Sequence, residues 1–255
     1  MKTPPPLSRR ARAPLLAALA LGLALAAPAP VPSRSAALAS AGPAHPRPLA
    51  ALLLVADARS DPRLLRELQR LLQGLRFDVR VVDVSALAGA PQLALDVLGR
   101  AWRGLRAQAP GLPLALAGHG FGATLATVMA DGLEVDERPQ LLWLLAPGRE
   151  VQVDAATPAL DLQRPEAALA RVDALCVGTL QRATQVLLVQ GAQDGLVADD
   201  RARAIADAAP AATVYRVPAA GHHDLLARTE VREQLARLLM GWTVQARRAP
   251  GRRVG

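Results

Sequence analysis

The chain has 255 residues, of which 51% are hydrophobic, and its formal net charge is +8. That length is enough for one well-buried core and too short for two ordinary domains, so we expect a single folded domain. The charge lies at the ends: residues 1–40 hold five basic residues and 247–255 hold four, without any acid, which leaves a net charge of −1 for the body. A near-neutral body with six aromatic residues offers no basic stripe or stacking platform, which argues against a nucleic-acid partner.

The amino-terminal segment has the pattern of an export signal. Basic residues up to Arg12 precede an apolar run at 15–27, and small residues follow it. A run of about thirteen apolar residues is too short to span a bilayer comfortably. We therefore interpret residues 1–41 as a signal peptide and leader, and 42–48 as its Pro-rich end. A periplasmic or secreted protein, with no transmembrane helix after signal cleavage, is expected.

Residues 49–246 alternate strand patterns with helix patterns, and 247–255 form a basic tail. Apolar runs of strand length predict strands at 51–56 and 141–145, and the alternation with helix patterns predicts further strands at 77–84, 113–117, 184–190 and 213–217. Apolar residues at helical spacing predict helices at 62–74, 93–108, 123–130, 165–181, 201–208 and 231–244, the first of them capped by Asp61. This alternation predicts a doubly wound, mostly parallel α/β sheet with helices on both faces.

Functional residues in open α/β sheets lie in the loops at the carboxyl ends of the strands. One such loop, between the predicted strand 113–117 and helix 123–130, reads Gly-His-Gly-Phe-Gly over residues 118–122. A strand, a glycine-flanked turn and a helix are typical of a nucleophile elbow, whose sharp turn exposes the central side chain. Here the central residue is Gly120, which has no side chain.

Two further strand ends carry residues suited to acid–base chemistry. Asp194 follows the strand at 184–190, and His222 follows the strand at 213–217. A carboxylate fixes the tautomer of a histidine and stabilises its charged form, so the two residues form a sensible pair if their loops meet. Elbow, acid and histidine also occur in the chain order of the α/β-hydrolase triad.

On these motifs, residues 49–244 resemble the α/β-hydrolase superfamily. The segment LALAGHGFGATLATVMA at 114–130 is similar to a hydrolase elbow and its helix, with Gly120 in place of the serine. The segment PAAGHHDL at 218–225 is similar to the histidine loop and selects His222, the first of its two histidines. The G-H-G-x-G-A elbow, with a Gly-Trp pair near the chain end, resembles an exported bacterial subgroup of this superfamily.

The resemblance implies a compact hydrolase fold with a small lid around 165–181. It also implies an oxyanion hole made by backbone N–H groups of Phe121 and of Asp57 or Ala58. The usual His-Gly of that early loop is replaced here by Ala-Asp-Ala-Arg at 56–59.

Covalent acyl transfer needs a side chain that attacks a carbonyl, so the serine-esterase mechanism cannot run through Gly120. We expect a catalytically degenerate hydrolase-fold protein that binds a small molecule or a cell-envelope component. The alternative is an active ester or amide hydrolase in which Asp194 and His222 activate a water or a non-standard nucleophile. A third interpretation is that this pair is only a hydrogen bond that ties two loops together.

The remaining candidates receive structural interpretations. Ser60 and Thr124 are the nearest hydroxyls in the sequence that could replace the missing nucleophile. We expect Ser60 instead in the turn before the first helix, and Thr124 to bond back along its own helix. His119 is expected to pack or to form a hydrogen bond, and Cys176 to be a small apolar residue on a helix. The spacing of His, Cys and carboxylates suggests no metal site, and the loop at 118–122 lacks the third glycine of a dinucleotide fingerprint, so no cofactor is expected.

Overall fold

The computed structural model describes residues 38–39, 48–56, 60–87, 91–147, 185–197, 199–209 and 212–248. The strands in these ranges are β1 (Leu38–Ala39), β2 (Ala50–Ala56), β3 (Phe77–Asp83), β4 (Leu114–His119), β5 (Leu141–Leu145), β6 (Gln185–Gly191) and β7 (Thr213–Val217). They form one sheet in the order β1-β3-β2-β4-β5-β6-β7. Strands β2 to β7 pair in parallel, and the two-residue β1 pairs antiparallel with β3. The predicted mostly parallel sheet is therefore confirmed.

Helices connect most of the strands. They are α1 (Pro62–Gly74), α2 (Pro91–Gln108), α3 (Phe121–Gly132), α4 (Asp199–Ala208) and α5 (Thr229–Arg248), with a short 3₁₀ helix at Ser85–Leu87. The predicted start of α1 is confirmed, because the carboxylate of Asp61 accepts a hydrogen bond of 2.7 Å from the backbone N–H of Arg63. The predicted helix at 165–181, and with it the expected lid and Cys176, lies outside the described residues.

The helices cover both faces of the sheet because side chains alternate along each strand. On β2, Leu53 and Val55 belong to a hydrophobic cluster with residues of α2, α3 and α4. Leu52 and Leu54 belong to a second cluster with residues of α1 and α5. Every residue of β2 and β5 is buried, as expected for strands covered on both faces. The loops at the carboxyl ends of the strands are thus left to form the rim where a site can lie.

Some boundaries differ from the prediction. Strand β4 continues to His119, two residues past the predicted end, because Gly118 and His119 stay paired with β5. Helix α5 ends at Arg248, so the predicted basic tail begins inside it. Strand β1 has no predicted counterpart, since two residues are too few for a periodic pattern. In the part of the chain that the structure describes, none of the helices has the length and apolar character needed to cross a membrane.

Candidate active site

Gly120 lies at the sharp turn between β4 and α3. Its backbone angles are φ 57° and ψ −126°, a combination that glycine adopts readily and that strains other residues. Its N–H donates a hydrogen bond of 2.9 Å to the carbonyl of Leu145, and its own carbonyl accepts one from the N–H of Ala123. The backbone at Gly120 therefore has the strand-turn-helix geometry that the elbow pattern predicts.

The glycines that flank this turn are required by close backbone contacts. A Cβ atom on Gly118 would lie 2.4 Å from the carbonyl oxygen of Gly122. A Cβ atom on Gly122 would lie 2.6 Å from the carbonyl oxygen of Val55 in β2. Real Cβ atoms do not approach backbone atoms so closely, so the elbow is packed directly against the sheet and the turn is held in one shape.

The structure brings Asp194 and His222 together. The Nδ1 atom of His222 lies 3.1 Å from Oδ2 of Asp194, and the two side chains are 4% and 0% exposed. Their loops meet because β6 and β7 are neighbours and because Gly191 lets the backbones approach; a Cβ there would lie 2.4 Å from the carbonyl oxygen of Ala220. The N–H of Gln193 donates to that same carbonyl at 2.9 Å.

Asp194 is held as a carboxylate. Its Oδ1 accepts hydrogen bonds of 2.9 Å from the backbone N–H groups of Leu196 and Val197, and its Oδ2 accepts one of 3.0 Å from Nε2 of Gln190. Burial favours the neutral acid and raises the pKa of Asp194, but the bond to His222, the backbone donors and the charge of His222 outweigh it and lower the pKa below 3.8. An ionised Asp194 requires a hydrogen on Nδ1 of His222, which places the remaining ring nitrogen, Nε2, on the opposite edge.

A pH-dependent loss of stability follows from this lowered pKa. Because the folded value lies below the ordinary one, Asp194 stabilises the native state above about pH 4 and loses that contribution as the pH falls through the folded value. The Asp194→Asn variant should therefore be less stable than the native chain by roughly 1–3 kcal/mol at neutral pH, and the difference should narrow in acid. Denaturant titrations at several pH values measure it.

The control for this comparison is Asp96→Asn, since Asp96 is exposed on α2. That variant should stay within about 0.5 kcal/mol of the native chain at every pH. A deficit of Asp194→Asn that stays constant down to about pH 2 would contradict the assigned ionisation of Asp194.

A second imidazole, that of His119, bridges two loops beside Gly120. Its Nδ1 lies 3.1 Å from the hydroxyl oxygen of Ser60, and its Nε2 lies 3.1 Å from the carbonyl oxygen of His222. The rings of His119 and His222 are 5.0 Å apart between centroids. Ser60 lies directly before α1, in the turn expected for it, and its hydroxyl also contacts His119 of β4. The hydrogen bond expected of His119 is present.

Two further residues hold the site in place, and neither of them was identified from the sequence. Gln190, the residue before the last of β6, is 2% exposed and donates to Asp194. The guanidinium of Arg228 donates to the carbonyls of Pro218 and Ala219 at 3.2 and 3.1 Å. Ala219 has φ 52°, so Arg228 holds a strained turn just before His222. Both contacts depend on side-chain reach between distant segments, which periodicity does not reveal.

The other predicted site residues have these positions. Phe121 is the first residue of α3 and is buried, next to Gly120, while Asp57 and Ala58 lie outside the described residues. Thr124 is buried within α3. Among the described residues, no group of three or more His, Cys, Asp or Glu side chains is arranged to hold a metal ion.

Several solved structures are similar to this chain. The esterase domain of a Rhodothermus marinus protein has a TM-score of 0.61 at 19% identity, over 78% of this chain and 88% of its own. Est1E from Butyrivibrio proteoclasticus has a TM-score of 0.60 at 16% identity, over 78% and 90%. A monoacylglycerol lipase from Paleococcus ferrophilus has a TM-score of 0.56 at 14% identity, over 76% and 94%.

No protein-family model and no curated protein matches the sequence. At identities below 20%, the similarity to esterases and lipases concerns the architecture of the chain. The sheet order, the turn at Gly120 and these structures together show that the chain has the α/β-hydrolase fold.

Proposed function

We propose that this chain is an exported hydrolase-fold protein that binds a small molecule or a cell-envelope component in a cleft at the carboxyl ends of its strands, without forming an acyl-enzyme at position 120. The observation that carries the proposal is the glycine at the tip of an otherwise well-formed elbow, beside a hydrogen-bonded acid and imidazole. Glycine offers no atom to attack a carbonyl, so the acylation step of a serine esterase has no nucleophile there.

The retained polar groups suit a binding role. Small-molecule sites are mostly apolar, with a few polar groups that fix the orientation of the ligand. Because Nδ1 of His222 donates to Asp194, its Nε2 is left to accept a hydrogen bond when neutral or to donate one when protonated. The polar group of a ligand with a hydroxyl or an ester carbonyl therefore has a matching partner at this rim. Membership of the exported subgroup with the G-H-G-x-G-A elbow is part of the same proposal.

Export is proposed from residues 1–41, which combine basic residues, a short apolar run and small residues. A periplasmic or secreted location would place the cleft among envelope polymers and exported metabolites. Amino-terminal sequencing of the protein recovered outside the cytoplasm checks this part of the proposal; a protein that keeps residues 1–27 and stays in the cytoplasm would contradict it.

A second candidate function is hydrolysis of an ester or amide by a water that His222 deprotonates. The lowered pKa of Asp194 favours it, since a carboxylate on Nδ1 stabilises the imidazolium that forms when His222 takes a proton. In this mechanism the water stands where the serine hydroxyl of the fold's esterases would be.

Steady turnover of short-chain p-nitrophenyl esters separates the two candidates. The binding proposal predicts that the native chain and His222→Ala release nitrophenolate at the same steady rate, after any initial burst. The control variant is His223→Ala, whose side chain is the exposed neighbour of His222. Steady turnover that His222→Ala lowers by about 10²-fold or more, and that His223→Ala leaves unchanged, would overturn the binding proposal in favour of hydrolysis.

A further inference from the structure

We propose that Ser60 is an acyl-accepting nucleophile at the same rim, activated by His119, and that an ester bound in the cleft transfers its acyl group to the Ser60 hydroxyl. This inference rests on the proposed function in one respect, that the cleft takes a carbonyl ligand. It adds a covalent mode of binding and names the ligand class as esters with a good leaving group.

The hydrogen bonds around His119 determine which of its nitrogens carries a hydrogen. A carbonyl oxygen only accepts hydrogen bonds, so the contact of 3.1 Å between Nε2 of His119 and the carbonyl of His222 requires a hydrogen on Nε2. In the neutral ring, Nδ1 then carries the lone pair. The Ser60 hydroxyl, 3.1 Å from Nδ1, therefore donates its hydrogen to the imidazole.

The arrangement of Ser60 and His119 resembles an activated serine in its chemistry. A hydroxyl that donates to an imidazole, whose other nitrogen donates to a fixed acceptor, is the general form of an activated serine. When His119 takes the proton, its positive charge is stabilised by the His222 carbonyl through the Nε2–H bond. A neutral carbonyl stabilises an imidazolium less than a carboxylate does, so acylation at Ser60 should be slower than in a complete triad.

The Ser60–His119 pair lies close to the elbow and to the histidine loop. Ser60 follows β2, and His119 is the last residue of β4, the strand next to β2 in the sheet. His119 directly precedes Gly120, and its ring contacts the ring of His222. Ser60 and His119 are 7% and 4% exposed, so the proton moves between partners largely shielded from bulk water. The pair belongs to the same rim as the elbow and the histidine loop.

The proposed reaction needs no further reactant. The Ser60 oxygen forms a bond to the ester carbonyl carbon while its proton passes to Nδ1 of His119. The bond between the carbonyl carbon and the leaving oxygen then breaks, and that oxygen either takes the proton from Nδ1 or leaves as a stable phenolate. The product is an ester of Ser60, so each chain should release one leaving group.

The test is a covalent label on the native chain. Incubation with p-nitrophenyl acetate should release a burst of about one equivalent of nitrophenolate per chain, and a fluorophosphonate should add one phosphonyl group. Peptide mapping by mass spectrometry should place both adducts on Ser60. Because the mapping uses the native chain, it requires no variant to fold. A native chain that carries no adduct, or carries it on another residue, would overturn the proposal.

Variants distinguish a nucleophile from a structural hydroxyl. Ser60→Ala should abolish the adduct, and His119→Gln should slow its formation by about 10²-fold or more and remove the rise of the labelling rate with pH. The matched control is Ser85→Ala, since the Ser85 hydroxyl also follows a strand but bonds to the carboxylate of Asp83. Labelling that persists in folded His119→Gln at the native rate would contradict the role of His119.

Thermal stability measured with an unreactive ligand distinguishes binding at the rim from acylation of Ser60. An unreactive amide analogue of the ester should raise the melting temperature of both the native chain and Ser60→Ala, because binding to the native state stabilises it. Stabilisation without an adduct would overturn the Ser60 proposal alone. If the amide analogue does not stabilise the chain and no adduct forms, both the Ser60 proposal and the binding proposal are contradicted.

Discussion

The Gly120→Ser variant is expected to gain steady turnover of short-chain p-nitrophenyl esters, by about 10²-fold or more over the native chain. Loss of the nucleophile from a serine-hydrolase triad removes most of the rate enhancement. In this chain the turn is already in the required conformation, with φ 57° and ψ −126°, and the acid–imidazole pair is already assembled. A serine at this positive φ is strained by about 1–3 kcal/mol.

The turnover gained by Gly120→Ser should depend on His222. Adding His222→Ala to the variant should remove most of the gain, whereas adding His223→Ala should leave it in place. Peptide mapping after fluorophosphonate treatment should show a new adduct at position 120, separate from any adduct on Ser60. A well-folded Gly120→Ser chain that stays unlabelled at position 120 would contradict the assignment of this turn as a nucleophile elbow.

The Gly191→Ala variant is expected to lose about 3 kcal/mol of stability, a large effect for one methyl group. The added Cβ would lie 2.4 Å from the carbonyl oxygen of Ala220 and 2.9 Å from that of Gly221. Both neighbours are backbone atoms, so relief requires the acid loop and the histidine loop to move apart. For a domain of this size the melting temperature should fall by roughly 6–12 °C.

The matched control for Gly191→Ala is Gly104→Ala. Gly104 lies inside α2, and a Cβ there would meet nothing within 4 Å. Alanine favours helix over glycine, so this variant should gain about 0.5–1 kcal/mol. Calorimetry on the two variants measures the expected loss of stability in Gly191→Ala and the expected gain in Gly104→Ala. A Gly191→Ala chain as stable as the native one would show that the acid loop and the histidine loop do not approach so closely.

The sheet was largely predictable because central strands such as β2 and β5 are continuous apolar runs and because strand and helix patterns alternate along the chain. The strand at 141–145 and that at 213–217 are observed with the predicted bounds. The end of β4 was not, because Gly118 and His119 interrupt the apolar run while the backbone continues to pair with β5. Pairing depends on the neighbouring strand, which a local pattern does not contain.

The candidate site was predictable where it depends on topology. Parallel strands bring their carboxyl ends to one edge, so the loops that hold Gly120, Asp194 and His222 could be assigned to that edge, and their chain order, which matches that of the hydrolase triad, indicated that they meet. The contact between Ser60 and His119 could not be predicted, because it depends on the rotamers of two buried side chains that come from different segments of the chain. The same holds for the hydrogen bond that Gln190 donates to Asp194.

The most direct measurement of the central claim is a crystal structure of the Gly120→Ser variant after reaction with a fluorophosphonate. We predict a phosphonyl group on the serine oxygen at position 120, with Nε2 of His222 about 3 Å from an oxygen of the adduct and Nδ1 still bonded to Asp194. An adduct at position 120 that points away from the imidazole, or a His222 that is separated from Asp194, would contradict the account.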